Sequence, residues 1–499
     1  MKEQIMRMGE YWRLHDDAAL WKIDAAAVHL LSRKGCRIDH EGLLQQLEGA
    51  GCRVDFGARR CFLPERLIRD AVRHLGGKAG EAIDAPAGWS PRTQLGLSGS
   101  YPHLLDWPSG ERRLATRQDV IGLARMGHML EEFASVGRVV TCAEVEPGIE
   151  PLWTTLTIAE TTDKPIAGGE IYSPEYIEPL VRMGEVLTGR PGDTSLVVGW
   201  DFFIAPLLFG HAQAECFLQK RRFGMPNCPG TGPISGTNGP VTIAGTVAIA
   251  VAELLAGWTL GYVVNPLVAA GGVVSSGSLD MRTATACLGS PEALLQDMTT
   301  VQVARRLYGI PVWAATSYVD AKRPGLEAVY QKMYPLLAAP LGTGLRMVAG
   351  GLLSAGQDYS PVQHLLDAEV AASIDRFWGG FEVSEETLAL ELIEERMEQP
   401  TTTFLDTDHT LQHYRTEQWY PRWFDRRGWQ GEAERDAEQA MLARIDAYWK
   451  DAVRRYERPA LDRAKLVELR RIYRTAERAI LGDTGSSRTE TFPALADIA

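Results

Sequence analysis

The sequence predicts an α/β fold: a (β/α)8 TIM barrel over residues 94–351, with an N-terminal α+β appendage over 1–93 and a C-terminal helical region over 352–499. Two observations predict it. Between Leu95 and Gly351, short apolar runs ending in Gly, Ser or Pro alternate with longer helical stretches, the pattern of parallel strands joined by crossover helices. These runs start roughly thirty to forty residues apart, about one βα unit each, and there are eight of them. Eight in series suffice to close a parallel sheet into a barrel, whereas an open doubly wound sheet usually stops at five or six.

In chain order, the appendage opens with helical periodicity in Asp24–Arg33, an alternating Cys36–Asp39, and a second amphipathic helix, Glu41–Ala50. Cys52–Asp55 and Arg60–Leu63 then read as short strands, and Pro64 sits in the first turn of another helix. The eight barrel strands are expected at Gln94–Ser98, Ala134–Val140, Lys164–Gly168, Leu196–Trp200, Gly224–Cys228, Leu267–Gly272, Ile310–Ala315 and Gly344–Gly350. Barrel enzymes place their chemistry just beyond the strands, so the candidate site is a set of strand ends. Past Leu352 the sequence turns helical and charged, with Glu385–Glu398 and the long amphipathic run Glu434–Glu457 expected to wrap the barrel.

Composition removes several classes of function. The 499 residues are 45% hydrophobic, enough for a large core, and their net charge of -12 with no basic run argues against nucleic acid. Met1–Asp17 lacks the apolar core of a secretory signal, and a cytoplasmic location is expected. The longest apolar stretch, Val241–Val264, carries Glu253 and is rich in Ala, Gly and Thr, which suits burial among other elements better than lipid; no membrane span is expected. Seven scattered cysteines without a CxxC spacing indicate neither a disulfide framework nor a zinc site. Cys228, in a Gly/Pro-rich loop, is read as a small semi-buried residue sooner than a nucleophile.

The Gly-rich loops Pro229–Pro233 and Gly271–Gly277 match neither a P-loop nor a dinucleotide fingerprint. His409 and His413 share a helical spacing of four but lie away from the barrel mouth, and no metal is expected. The distinctive pattern is aromatic. Tyr101, Trp200, Phe202, Phe203, Trp313, Tyr318 and Tyr359 cluster at strand ends, accompanied by Glu170, Asp201, Asp280 and Asp320. Ring faces with one carboxylate answer a quaternary ammonium, which donates no hydrogen bond and gains about 0.5–2 kcal/mol per ring from cation–π attraction. Taken singly, each ring is as well explained by core packing.

The stretch Gly232–Gly245 (GPISGTNGPVTIAG), followed by Ala252–Gly257 (AELLAG), closely resembles the trimethylamine methyltransferase family. Asp280–Thr283, Gly289–Ala293, Asp320–Pro324, Leu366–Glu369, Asp408–Leu411, Phe424–Arg426 and the N-terminal Gly35–Glu65 carry the resemblance through nearly the whole chain. It implies a barrel, a methylated amine as donor, and a corrinoid (cobalamin) carried by a separate partner protein as acceptor. The family's trimethylamine enzymes carry pyrrolysine, and that position falls here at Glu327. The chain therefore looks like the non-pyrrolysine branch, whose characterised members act on quaternary amines such as glycine betaine.

A methyltransferase demethylating a quaternary amine is thus expected. Tyr101, Trp200, Phe202, Trp313 and Tyr318 are assigned to the cage, Asp201 or Glu170 to charge balance, Glu327 to the pyrrolysine position, and Arg346 or Arg282 to any substrate carboxylate. Asp280 and Arg282 can equally form a local ion pair. A homo-oligomer is expected for a family of this size. The alternatives are a non-catalytic quaternary-amine binder and a barrel methyltransferase for a different methylated amine.

Overall fold

The computed structural model describes residues 13–82, 94–97, 99–266, 270–314, 318–343, 347–398, 403–429, 431 and 435–482. It is a mixed α/β structure in which local signals set the helix ends. Thr116 and Asp119 form a reciprocal capping box ahead of helix Arg117–Met129. Ser290 and Pro291 open Pro291–Tyr308, which Gly309 closes in the left-handed conformation at φ +69°. Ser360 and Pro361 open Pro361–Gly379 in the same way.

Parallel segments at or near most of the strands expected for the barrel follow one another in chain order and form two arcs; Lys164–Gly168 is reduced to a single bridge at Ile166. In one, Met347–Ala349 pairs with Gln94–Leu97, which pairs with Ser135–Val136, and single bridges continue the series through Val136↔Ile166 and Gly169↔Val197. In the other, Trp200–Phe202 pairs with Cys228–Thr231, then Val273–Val274, then Trp313–Ala314. Val197 and Trp200 belong to one segment and join the arcs on one side. A pair between Trp313–Ala314 and Met347–Ala349, which would join them on the other, is not found among the described residues.

Several strands sit further along the chain than expected. Leu196–Trp200 becomes Trp200–Phe202, Gly224–Cys228 becomes Cys228–Thr231, and Leu267–Gly272 becomes Val273–Val274. Apolar content marked the approach to each strand, while the backbone ladder extends into the polar and Gly-rich residues beyond it. Parts of the expected strands at Leu267–Gly272, Ile310–Ala315 and Gly344–Gly350 lie outside the described residues.

Two small sheets unforeseen in the sequence sit beyond the strand ends. His103–Leu105, Arg112–Leu114, Leu352–Leu353 and Asp358–Tyr359 form one; Ile234–Ser235, Gly277–Asp280 and Thr285–Cys287 form the other. The expected N-terminal strands Cys36–Ile38, Arg53–Asp55 and Arg60–Phe62 form an antiparallel sheet. Cys36–Ile38 also pairs in parallel with Leu208–Phe209, from the loop after Trp200–Phe202.

The apolar stretch becomes helix Ile243–Val264, the one helix among the described residues long and apolar enough to cross a membrane. It is mostly buried, packed among helices Asp17–His29, Glu65–Ala82 and Pro291–Tyr308 and strand Cys228–Thr231. Its fully buried Glu253 accepts from Leu207 N (2.9 Å) and Thr231 Oγ1 (2.6 Å). Burial outweighs those bonds and pushes the carboxyl up to about 7.

Helices Ala437–Arg454 and Arg463–Leu481 lie against the helices of the first arc. Tyr456 Oη donates to Thr161 O (2.7 Å), Lys465 Nζ to Leu187 O (2.7 Å), and Arg470 Nε pairs with Glu160 at 2.6 Å. Between these helices and Pro361–Gly379, the short helices Glu385–Leu388, Leu390–Met397 and Asp408–Glu417 bury none of their residues.

Candidate functional site

In the second arc the register sorts side chains by face. Phe202, Gly230, Val273 and Trp313 are successive partners across four strands and share one face, with Trp200 and Cys228 one layer below. The opposite face is the helix side, because Thr231 there bonds Glu253 of the covering helix. The rings of Phe202, Trp200 and Trp313 thus belong to the inner face. Two glycines seat them. A Cβ on Gly230 would fall 2.6 Å from Phe202 Cγ, and one on Gly271 would fall 3.0 Å from Trp313 Cζ3 and 3.1 Å from Cys228 Sγ. The Trp313 indole N–H is buried without an acceptor among the described residues. Burial pushes the Cys228 thiol up to about 12, so it stays protonated and a poor nucleophile.

Asp201 lies between Trp200 and Phe202 and therefore faces the helix layer. It is 2% exposed, 2.9 Å from Lys220 Nζ and 3.4 Å from Arg221 Nη2, and accepts from Gln213 Nε2 at 3.0 Å. Its charge is matched inside the protein, away from the inner-face rings.

Tyrosines gather at the first arc. Tyr101, bridged to Val140 beyond the first strand, stacks on Tyr359 with ring centroids 6.2 Å apart and planes 3° from parallel. Tyr359 is fixed from behind by His364 Nδ1 at 3.0 Å. Tyr318 lies against Gly356, whose Cβ position would be 2.3 Å from Tyr318 Cε1. Burial first, and then the neighbouring Tyr318 and Glu170, hold the Tyr101 hydroxyl far above its ordinary range. Burial and Glu170 push Tyr318 to about 12. Tyr101 and Tyr318 both feel the charge of Glu170, while Trp200, Phe202 and Trp313 belong to the strands of the second arc.

Glu170 is held from two sides. Tyr172 Oη donates to Glu170 Oε2 at 2.6 Å, and the Glu170 carbonyl accepts from Arg138 Nη2 at 2.6 Å. Arg138 also pairs with buried Glu150 (3.0 Å) and donates to Ser100 Oγ (2.7 Å), so one guanidinium ties together the ends of the first three strands. Sequence reasoning missed Arg138, Tyr172 and Glu150. Nothing local marks Arg138; its partners are distant in the chain and meet only through strand order.

The remaining candidates lie elsewhere. Glu327 is exposed in the first turn of helix Leu326–Thr343, within 3.4 Å of Gln331 Nε2. Arg282 is exposed and pairs with Asp280 at 3.1 Å, the local ion pair foreseen as the alternative. Asp320 accepts from the backbone N–H groups of Leu288 (2.9 Å) and Gly289 (3.2 Å) and holds that loop. Arg346 lies outside the described residues. Among the described residues no group of His, Cys, Asp and Glu is arranged to hold a metal.

The ends of the parallel strands thus carry two sets of aromatic rings and, at Glu170, a carboxylate held by Tyr172. The sequence model of the trimethylamine methyltransferase family matches residues 2–479. The trimethylamine methyltransferase of Desulfitobacterium hafniense is 26% identical over 420 residues, covering 80% of this chain and 82% of that protein. The glycine betaine methyltransferase of Desulfitobacterium hafniense strain Y51 is 25% identical over 457 residues, covering 88% and 92%. A trimethylamine methyltransferase of Methanosarcina mazei is 31% identical over 190 residues, 38% of each chain. The chain belongs to the trimethylamine methyltransferase family and is a methyltransferase.

Proposed function

We propose that this chain demethylates a quaternary amine, glycine betaine or a similar trimethylammonium compound, in the cytoplasm, and passes the methyl group to the Co(I) corrinoid of a separate protein. The observation that carries the substrate class is the gathering of tyrosines at the first arc, Tyr101 stacked on Tyr359 and Tyr318 seated against Gly356, with the Glu170 carboxylate tethered by Tyr172: rings accompanied by one carboxylate suit a cation that offers no hydrogen. A tertiary amine such as trimethylamine is recognised differently, and the position assigned to pyrrolysine in the family carries an ordinary glutamate, Glu327.

Transfer from a quaternary nitrogen breaks one N–CH3 bond. The electron pair of that bond stays on nitrogen, which leaves as a neutral tertiary amine, while cobalt supplies the pair for the new Co–CH3 bond and goes from Co(I) to Co(III). No proton moves, so the residues act by orienting the donor and excluding water. Positive charge drains from nitrogen during transfer, so one carboxylate is preferable to several, which would favour the bound cation over the transition state.

On this proposal the two arcs close into a (β/α)8 barrel over 94–351, between an appendage over 1–93 and a helical region over 352–499. The parallel pairing in chain order supports it, with a single neighbour pair left to complete the ring. The ring groups of the two arcs then face each other across one mouth. The Trp313 N–H is the inner-face donor for a polar tail on the substrate, and Arg346 remains the candidate partner for a carboxylate.

The test is to incubate the purified chain with chemically reduced cob(I)alamin and a panel of trimethylammonium compounds plus trimethylamine, following methylcob(III)alamin by absorbance. Turnover with one quaternary donor and none with trimethylamine is expected. Turnover with trimethylamine alone would overturn the substrate class, and saturable binding without transfer would favour a binding protein.

A further inference from the structure

Arg138 grips the first arc at two places that matter to the tyrosines. Its backbone carbonyl accepts from Gly99 N (2.8 Å) and Ser100 N (2.9 Å), and its side-chain Nε donates to Ser100 Oγ (2.7 Å). These bonds hold Ser100 at φ +59°, a left-handed conformation that residues with a Cβ rarely adopt. The turn decides where Tyr101 lies. A Cβ on Gly99 would fall 2.1 Å from Tyr101 Cζ, so the ring folds back over the glycine and moves with this backbone.

On its other side the guanidinium reaches the end of the third strand. Nη2 donates to the Glu170 carbonyl (2.6 Å), and the Cβ position of Gly169 is 3.4 Å from Arg138 Nε. Nη1 donates to Glu150 Oε2 (3.0 Å), and the other oxygen of Glu150 accepts from Cys142 N (3.1 Å) and Thr154 Oγ1 (2.8 Å). Arg138 and Glu150 are 6% and 2% exposed, so the cation is matched inside the protein and its planar fork cannot swing out to water. The bond to Glu170 goes to the carbonyl, which leaves the carboxylate, tethered by Tyr172 Oη at 2.6 Å, with its charge.

We propose that Arg138 is a positioning residue for the methyl donor: by gripping Ser100 and Glu170 at once, it fixes where the Tyr101 ring stands relative to the counter-charge. This rests on the reading of the first-arc tyrosines and Glu170 as the cation site. Lysine in its place keeps a cation beside Glu150 but has no rigid fork to serve three partners.

The test is isothermal titration calorimetry of the full chain with tetramethylammonium, a cation that reports on rings and counter-charge without turnover. Wild type, Arg138→Lys, Glu170→Gln and the double variant are compared. Arg138→Lys is expected to weaken binding roughly three- to tenfold, with helical circular dichroism retained. Because Arg138 acts through the residues it holds, Glu170→Gln is expected to lose less in the Arg138→Lys background than in wild type. A residue that only supports the fold gives losses that multiply. Should Arg138→Lys fail to fold, Ser100→Gly cuts one of the three side-chain bonds at a φ that glycine adopts freely, and weaker binding at an unchanged denaturation midpoint is expected. If Glu170→Gln weakens binding while folded Arg138→Lys or Ser100→Gly binds as wild type does, the role of Arg138 is overturned and the site stands; losses that multiply overturn it in the same way. If wild type does not bind tetramethylammonium, or Glu170→Gln binds it equally well, the reading of the site falls and this inference with it.

Discussion

Replacing Glu170 with Gln removes one charge and little else. Its carboxylate accepts from Tyr172 Oη, and a Gln Oε1 can accept the same bond; its backbone carbonyl stays with Arg138. Methyl groups keep a quaternary nitrogen about 4–5 Å from the nearest carboxylate oxygen. Two unit charges at that distance attract by about 1–4 kcal/mol across effective dielectric constants from bulk water to a protein surface. Glu170 is partly exposed, so the lower half of that range applies, about 1–2 kcal/mol or roughly 5- to 30-fold in KM. Because nitrogen loses its charge on the way to the transition state, the carboxylate favours the bound cation more than the transition state, and kcat is expected to hold or rise. Initial rates of methylcob(III)alamin formation against donor concentration separate the two constants. An unchanged KM would remove Glu170 from the substrate site, and a collapsed kcat at unchanged KM would make it a chemical participant instead of a counter-charge.

Asp201→Asn should act on stability first: it strips the carboxylate from buried Lys220 and Arg221, a loss of about 3–5 kcal/mol in denaturant titrations. Full stability with abolished turnover would instead return Asp201 to the site. Gly356→Ala sets a Cβ 2.3 Å from Tyr318 Cε1 at a backbone φ of +82°, so it should displace that ring, raise KM and lower the melting temperature together. Glu253, raised from 4.5 to about 7, stabilises the fold in its neutral form. That contribution is complete below pH 4.5 and is lost as pH rises through about 7. Glu253→Gln should therefore flatten the fall in stability between those values, measured as the difference between variant and wild-type denaturation midpoints; parallel pH profiles would contradict the assignment.

The order of elements was legible because apolar runs and helix-opening residues are local signals: Pro64 announces helix Glu65–Ala82 without reference to the fold. The aromatic residues at strand ends were legible for the same reason. Which way a side chain faces was not, because a shift of a few residues in the end of a strand decides it. With the strand read as ending at Trp200, Asp201 seemed free to turn to the mouth; with the ladder running through Phe202 it is committed to the helix layer. Arg138, Glu150 and Tyr172 stayed hidden because their roles come from partners on other strands. Tyr359 was visible as an aromatic near the end of the chain's strand series, but its stacking on Tyr101 required two distant loops to meet.

The tripeptide Trp200-Asp201-Phe202 admits only one threading of its strand. Slipped by one residue, it would send two large rings into a layer already filled by Lys220 and Arg221, strip those cations of their anion, and turn a bare carboxylate inward. A single insertion just upstream would impose all three faults at once, and no one compensating substitution would repair them. Relatives that gain or lose a residue there should have rebuilt the helix Asp201 leans on as well as the inner rings, so that the outer layer and the pocket change together.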